Sequence, residues 1–325
     1  MAEQQLRGII QSRGLGDILI ALPIARHYFD QGEKIVWPVC EEFIPAVESY
    51  APWVNWVSVP TDPAGAFFLQ TPLRVFEQWG VDPDEALYLY QYLNIVPELT
   101  DPEFFNILKF DQYKYQMAGV PFIKKWDLGR CITRSNDREL ALKDRLNQSF
   151  DLSKPYAVVH LTGSSARVDE SIVRAFIDPA VQIINIDLFL DKNSSPFDWI
   201  GIIERAKIFV GLDSVYANMV DQLAITAPEL YWIRRSAWDL TPVLGQAWQF
   251  VPTNLPIAEP KRVDPQAEAA KKLGRTSSQQ PAPAPQAPPQ PQASQERGNA
   301  GLVSHVPFAT DKSKIPTSFM HALKK

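Results

Sequence analysis

The sequence predicts an α/β protein built as two halves, each a largely parallel sheet wound with helices, followed by a low-complexity tail. Three observations carry that expectation. Apolar runs of strand length alternate with helical patterns from Arg7 to Val59, and the same alternation restarts at Tyr156. Six of the eleven residues from Pro281 to Pro291 are proline and the rest are Ala or Gln, so that stretch can supply neither a core nor a hydrogen-bonded ladder. With 325 residues, 46% of them hydrophobic and 21% charged, the chain has the composition of a globular protein of two domains.

Arg7 to Ser12 is a short apolar run ending at Gly14-Leu15-Gly16-Asp17, after which Ile18, Leu19, Leu22 and Ala25 recur at helical spacing. That pattern is strand, glycine turn, helix. Lys34–Pro38 reads as a second strand, Glu41–Tyr50 as a helix and Val54–Val59 as a third strand. Ala86–Tyr92 has strand character, and Pro102–Met117 includes a helix that stops at Gly119-Val120-Pro121. A charged helical stretch, Asn136–Phe150, leads through Asp151 to Pro155 into strand Tyr156–Leu161, a polar loop and a helix near Val168–Phe176. Strand Val181–Ile186, helix Asp198–Ala206, strand Lys207–Val210, a helix from Ser214 to about Ala224 and strand Glu229–Ile233 complete the second series. The expected domains are residues 1–150, 151–260 and a disordered tail at 261–325. Within that tail, 301–325 mixes apolar residues with lysines and reads either as a docking segment for a protein partner or as a frayed end.

The formal net charge of -5 removes the simplest case for nucleic-acid binding, which needs a basic face. Cys40 and Cys131 are the only cysteines and the four histidines are scattered, so neither a disulfide framework nor a metal site is suggested. No Ser-His-Asp or Cys-His constellation emerges from spacing. The start of the chain lacks a signal-peptide pattern, and no apolar run approaches the ~20 residues that span a bilayer, so a cytoplasmic protein without integral membrane association is expected. Most of the tryptophans read as packing.

Three strand-to-helix loops carry chemistry. At Gly14-Leu15-Gly16-Asp17 a glycine turn lets a ligand approach the amides of a helix N-terminus. The dinucleotide fingerprint is absent, because Leu19 stands where its third glycine would be and no acidic residue ends the second strand. Asp17 has a structural alternative as helix N-cap. The second loop, His160-Leu161-Thr162-Gly163-Ser164-Ser165-Ala166-Arg167, offers backbone amides and hydroxyls to a diphosphate and a cation to offset its charge. A serine-rich capped loop is the plain alternative. In the third, Gly211-Leu212-Asp213-Ser214 opens a helix at the carboxyl edge of the second sheet, where α/β ligands bind; capping by Asp213 or Ser214 is compatible with that role.

In order and spacing, across Arg7 to Trp232, these signals resemble the lipopolysaccharide heptosyltransferase family, family 9 of the glycosyltransferases. Gly16-Asp17 with Pro23 in the same helix matches its first motif, Tyr156–Ser165 its phosphate loop, and Glu204–Ser214 the approach to its Asp-Ser/Thr-Gly-x-x-His motif. The family's glycine falls at Val215 and its histidine at Asn218, and Arg167 is the cation nearest to the family's lysine. The resemblance implies a GT-B fold, two Rossmann-like domains facing a cleft, and a metal-independent, inverting transfer without a cofactor. Asp17 would be the general base on the acceptor hydroxyl. A nucleoside-diphosphate sugar would be held by Thr162, Gly163, Ser164, Ser165, Arg167, Asp213 and Ser214, with Gly14, Gly16 and Asn218 also in the cleft. The acceptor, a saccharide, lipid-linked saccharide, protein or nucleic acid, would face the first domain, and domain closure would accompany turnover. Val215, Asn218 and the long tail motivate a second expectation, a GT-B scaffold used for binding or assembly. A third is a sugar-nucleotide epimerase.

Overall fold

The computed structural model describes residues 5–62, 64–90, 108–164, 166–225, 229–235 and 241–252. The chain divides into two units, Met1–Pro256 and Ile257–Lys325. The second, with the proline-rich linker at 281–291 and the segment at 301–325, lies outside the described residues.

The first unit contains two parallel sheets, so the α/β architecture expected from the alternation is present. In the first, β1 (Leu6–Ile10), β2 (Lys34–Cys40), β3 (Val54–Val59) and β4 (Leu87–Tyr88) lie in the order β3-β2-β1-β4. In the second, β5 (Tyr156–His160), β6 (Gln182–Asn185), β7 (Ile208–Leu212), β8 (Glu229–Ile233) and β9 (Gln249–Phe250) lie in the order β6-β5-β7-β8-β9. All the pairings are parallel. Strand order reverses between β1 and β4 and between β5 and β7, and in folds of this kind ligands bind at the carboxyl ends of the strands on either side of such a reversal. β2 continues past Pro38 to Cys40, beyond the expected end; its pairing to β1 stops at Gly8↔Val36, before the proline.

Helix α1 (Leu15–Asp30) buries every residue from Ile18 to Ala25, so it is apolar all round rather than along one stripe. One side lies on the first sheet. The other packs against α9 (Val215–Gln222) of the second half, and one continuous apolar cluster joins Ile18, Leu19 and Leu22 to Tyr216, Met219 and Val220. Two of the expected helices are shorter than their spacing suggests. Glu41–Tyr50 forms a 3-10 turn at Glu41–Phe43 and only then α2 (Ile44–Val47), because Pro45 fits a first turn and would break a helix begun at Glu41. Asp198–Ala206 likewise becomes a 3-10 turn at Pro196–Trp199, capped by Ser195 with Asp198, followed by α8 (Ile200–Ile203).

Helices α3 (Gln70–Trp79), α4 (Phe110–Ala118), α5 (Leu128–Cys131), α6 (Asn136–Asn147) and α7 (Glu170–Arg174) complete the described set. Gly119 at φ +65° closes α4, as its position in the sequence predicts. Helix α6 packs on the second half, where Arg138 grips Asp198 with two bonds of 2.7 and 2.8 Å. The segment after residue 241 returns to the first half. Asp221, 1% exposed, accepts the backbone N–H groups of Gly245 and Gln246 and the indole N–H groups of Trp126 and Trp248. Nearby, the fully buried Lys125–Asp111 pair at 2.7 Å is joined by the backbone of Val243, which accepts from Lys125 and donates to Asp111 Oδ2. Among the described residues no helix is long and apolar enough to cross a membrane.

Candidate functional site

In the first half the site begins where β1 gives way to α1. Gly14 sits at φ +84° as the N-cap residue of α1, a backbone region that L side chains avoid. A Cβ there would meet the Asp17 carboxylate at 2.8 Å. Asp17 lies in the first turn of the helix and is not its cap, so the capping alternative for it does not hold; its carboxylate complements the helix dipole instead. It is answered by Lys114 of α4, whose ammonium lies 3.1 Å from Asp17 Oδ1. Lys114 is 3% exposed and also donates to Gln11 Oε1 at 2.6 Å and to the Leu89 carbonyl at 3.0 Å, so all three of its N–H groups are placed. Asp17, by contrast, keeps 39% of its side-chain surface open.

In the second half, register sets the geometry. His160 ends β5 opposite Gly211 of β7, which places its ring beside Ser214 at the start of α9. His160 Nδ1 is 2.9 Å from Ser214 Oγ, and Nε2 is 3.4 Å from Asp187 Oδ1. Asp187 is held by the N–H of Leu161 at 3.0 Å, and the Tyr216 ring lies 4.5 Å from the imidazole. Burial pushes His160 down to about 4, against the opposing pull of Asp187, so the ring is neutral at neutral pH. The same burial pushes the Tyr216 hydroxyl well up. Spacing in the sequence suggests no such grouping, yet the ends of β6, β5 and β7 bring Asp187, His160 and Ser214 together.

The remaining expected residues fall around these two centres. Asp213 is buried beside Arg235, whose Nε lies 3.7 Å from Oδ2 just beyond the end of β8. Asn218 Nδ2 donates to the Ser214 carbonyl at 2.7 Å while its Oδ1 is buried without a hydrogen-bond partner. Gly16 brings the halves together, since a Cβ there would lie 3.6 Å from the Val215 backbone and 3.8 Å from Asn218 Nδ2. Thr162 and Arg167 pair across a tight turn closed by Gly163 N–H to Ala166 O at 2.8 Å, leaving Thr162, Ser164 and Arg167 exposed. Gly163 backs onto Leu212. Ser165 lies outside the described residues. The helix expected directly after this loop starts only at Glu170, and its N-terminus is already capped by the Asp169 side chain on Ser171 N–H.

No family model matches the chain. No curated protein matches it. Among solved structures it is similar to a family 9 glycosyl transferase from Veillonella parvula, at 11% identity over 84% of this chain and 90% of that one, with a TM-score of 0.48. It is also similar to the E. coli ADP-heptose lipopolysaccharide heptosyltransferase II, at 12% identity over 76% and 90% of the two chains, TM-score 0.42. A third is E. coli heptosyltransferase WaaC with ADP-2-deoxy-2-fluoro heptose, at 13% identity over 76% and 92%, TM-score 0.38. These neighbours are glycosyltransferases and heptosyltransferases, the group that the motifs resemble.

Three residues essential to the geometry carry no sequence signal. Lys114 sits in a helix far from Asp17 in the chain, Arg235 follows a strand without a motif, and Asp187 reads as one acid among many. Only the register of two sheets and the docking of α4 place them. Concavities of about 690 Å³ beside Phe150 and Leu152 and about 260 Å³ beside Arg26 and Lys124 are lined by none of the expected site residues. Among the described residues no three His, Cys, Asp or Glu side chains gather to hold a metal.

Proposed function

We propose that the chain is a glycosyltransferase that moves a sugar from a nucleoside-diphosphate sugar to an acceptor hydroxyl. The observation that carries this reading is Asp17, an accessible carboxylate held by a buried lysine at the start of α1, next in the chain to Gly16, which lies against the start of α9. A base needs that combination of exposure and fixed aim. The acceptor oxygen bonds to the anomeric carbon as Asp17 takes its proton, and the bond from that carbon to the diphosphate breaks with inversion. The departing charge is met by Arg167, Arg235, the hydroxyls of Thr162 and Ser164 and the first-turn amides of α9, with no metal required. Asp213 pairs with Arg235 at the strand ends.

A second reading, a two-sheet scaffold that binds without transferring, is favoured by one observation. Helix α1 packs onto α9 through a continuous core, with Gly16 against Val215 and Asn218. The full chain, screened by thermal shift against UDP-, GDP-, ADP-, CMP- and dTDP-sugars, separates the two. Ligand binding to the native state raises its apparent stability. A shift with one nucleotide class, reduced in Arg235→Ala and Arg167→Ala, supports the transferase and names the base. No shift with any of them supports the scaffold.

A further inference from the structure

Ser214 occupies the N-cap position of α9, where a serine ordinarily accepts a bond from the helix's own first-turn amides, yet its side chain makes no capping bond. It turns to His160 instead. The direction of that bond follows from the other side of the ring. Nε2 lies 3.4 Å from a carboxylate oxygen, and that nearby negative charge favours the tautomer with the ring proton on Nε2 and a lone pair on Nδ1. The Ser214 hydroxyl therefore donates to Nδ1. A hydroxyl so committed has no proton to offer a phosphate oxygen, and its own lone pairs are what it presents to the half-buried surface where it stands.

A hydroxyl hydrogen-bonded to a neutral imidazole, with that imidazole oriented by a carboxylate, is the arrangement of an activated nucleophile. We propose that Ser214 is an acyl-transfer nucleophile with His160 as its base and Asp187 as the positioning residue for the ring, acting on carboxylic esters. Ser214 Oγ bonds to the ester carbonyl carbon while its proton passes to His160 Nδ1, and the carbonyl oxygen takes up negative charge. The amides of Val215 and Tyr216, which have no partner within the helix, lie next along the chain to stabilise that oxygen. The carbon–oxygen bond to the alcohol then breaks, and Nδ1 returns the proton to the departing alkoxide. Water repeats both steps and releases the carboxylic acid and free Ser214. Burial keeps His160 neutral at neutral pH, and the Asp187 charge offsets the positive charge the ring takes up when it accepts the proton. No part of this chemistry depends on a nucleotide sugar.

The full chain, treated with a fluorophosphonate at neutral pH and read by intact mass and peptide mapping, tests the assignment. One adduct per chain on Ser214 is expected, absent in Ser214→Ala and formed at least tenfold more slowly in His160→Asn and Asp187→Asn, with melting temperature recorded for each to confirm a folded chain. Turnover of p-nitrophenyl acetate should fall in parallel. An unlabelled Ser214 in the folded wild-type chain, or labelling indifferent to both neighbouring substitutions, overturns it. Labelling that persists when every nucleotide sugar fails to bind would leave this proposal standing and sink the transferase.

Discussion

The two halves use the same local plan, a parallel strand, a tight turn and a helix N-terminus, and fill it with opposite chemistry. At α1 the positive end of the helix already holds a carboxylate, Asp17, and a buried ammonium backs it. At α9 the N-cap serine is backed by a neutral imidazole, and the neighbouring Asp213 is paired with Arg235. An incoming anion meets negative charge at the first and cationic or neutral groups at the second. The comparison teaches that a shared fold does not make two equivalent sites: the base for the acceptor hydroxyl stands at α1, and anion binding falls to α9 beside the Ser214–His160 pair.

The sharpest way to break that division is Asp17→Asn. Transfer should fall by about 10²–10⁴-fold, the usual weight of a general base, while nucleotide-dependent thermal stabilisation stays. Loss of both together would mean the two centres are not separate. Next in size is the buried imidazole. His160 shifts from 6.5 in the unfolded chain to about 4 in the folded one, so between those values only the unfolded chain binds the extra proton. Stability should therefore be fully present above about pH 6.5, decline by about 3 kcal/mol as pH falls to about 4, and lose nothing more from this group below that. Urea unfolding across this range, compared with His160→Asn, isolates the slope; equal slopes would show that the ring is not held neutral. Lys114→Met should cost about 2 kcal/mol in the same assay, because Gln11 Oε1 and the Leu89 carbonyl lose a charged donor. The effect on transfer should be larger than on nucleotide binding. Smallest is Arg235→Gln, expected to weaken nucleotide binding about tenfold, or ~1.4 kcal/mol, with little change in melting temperature.

What the sequence made legible follows the range of the forces involved. Val54–Val59 and Glu229–Ile233 match the strands read from apolar runs, and Gly119 ends its helix where expected, because these are local effects. The short helix at Pro45 is open to a stricter reading of the same local rules. The site divides in the same way: Gly14 announces its turn, whereas Lys114 reaches Asp17 and His160 reaches Ser214 only through tertiary register. Pairings of that kind leave no trace in spacing.

The strap over residues 241–252 has a consequence for the order in which the molecule is made. Asp111 and Lys125 belong to the first half, but the backbone that joins their buried pair is Val243. During synthesis the ribosome delivers the whole second sheet up to β8 before that group exists. Until then the growing chain has Asp111 and Lys125 without the Val243 backbone and Asp221 without the amides of Gly245 and Gln246. A nascent chain halted before residue 243 should thus be more open to protease around 108–127 than the finished one, and the segment from Val243 to Gln246 acts as a late clasp on helices folded long before it.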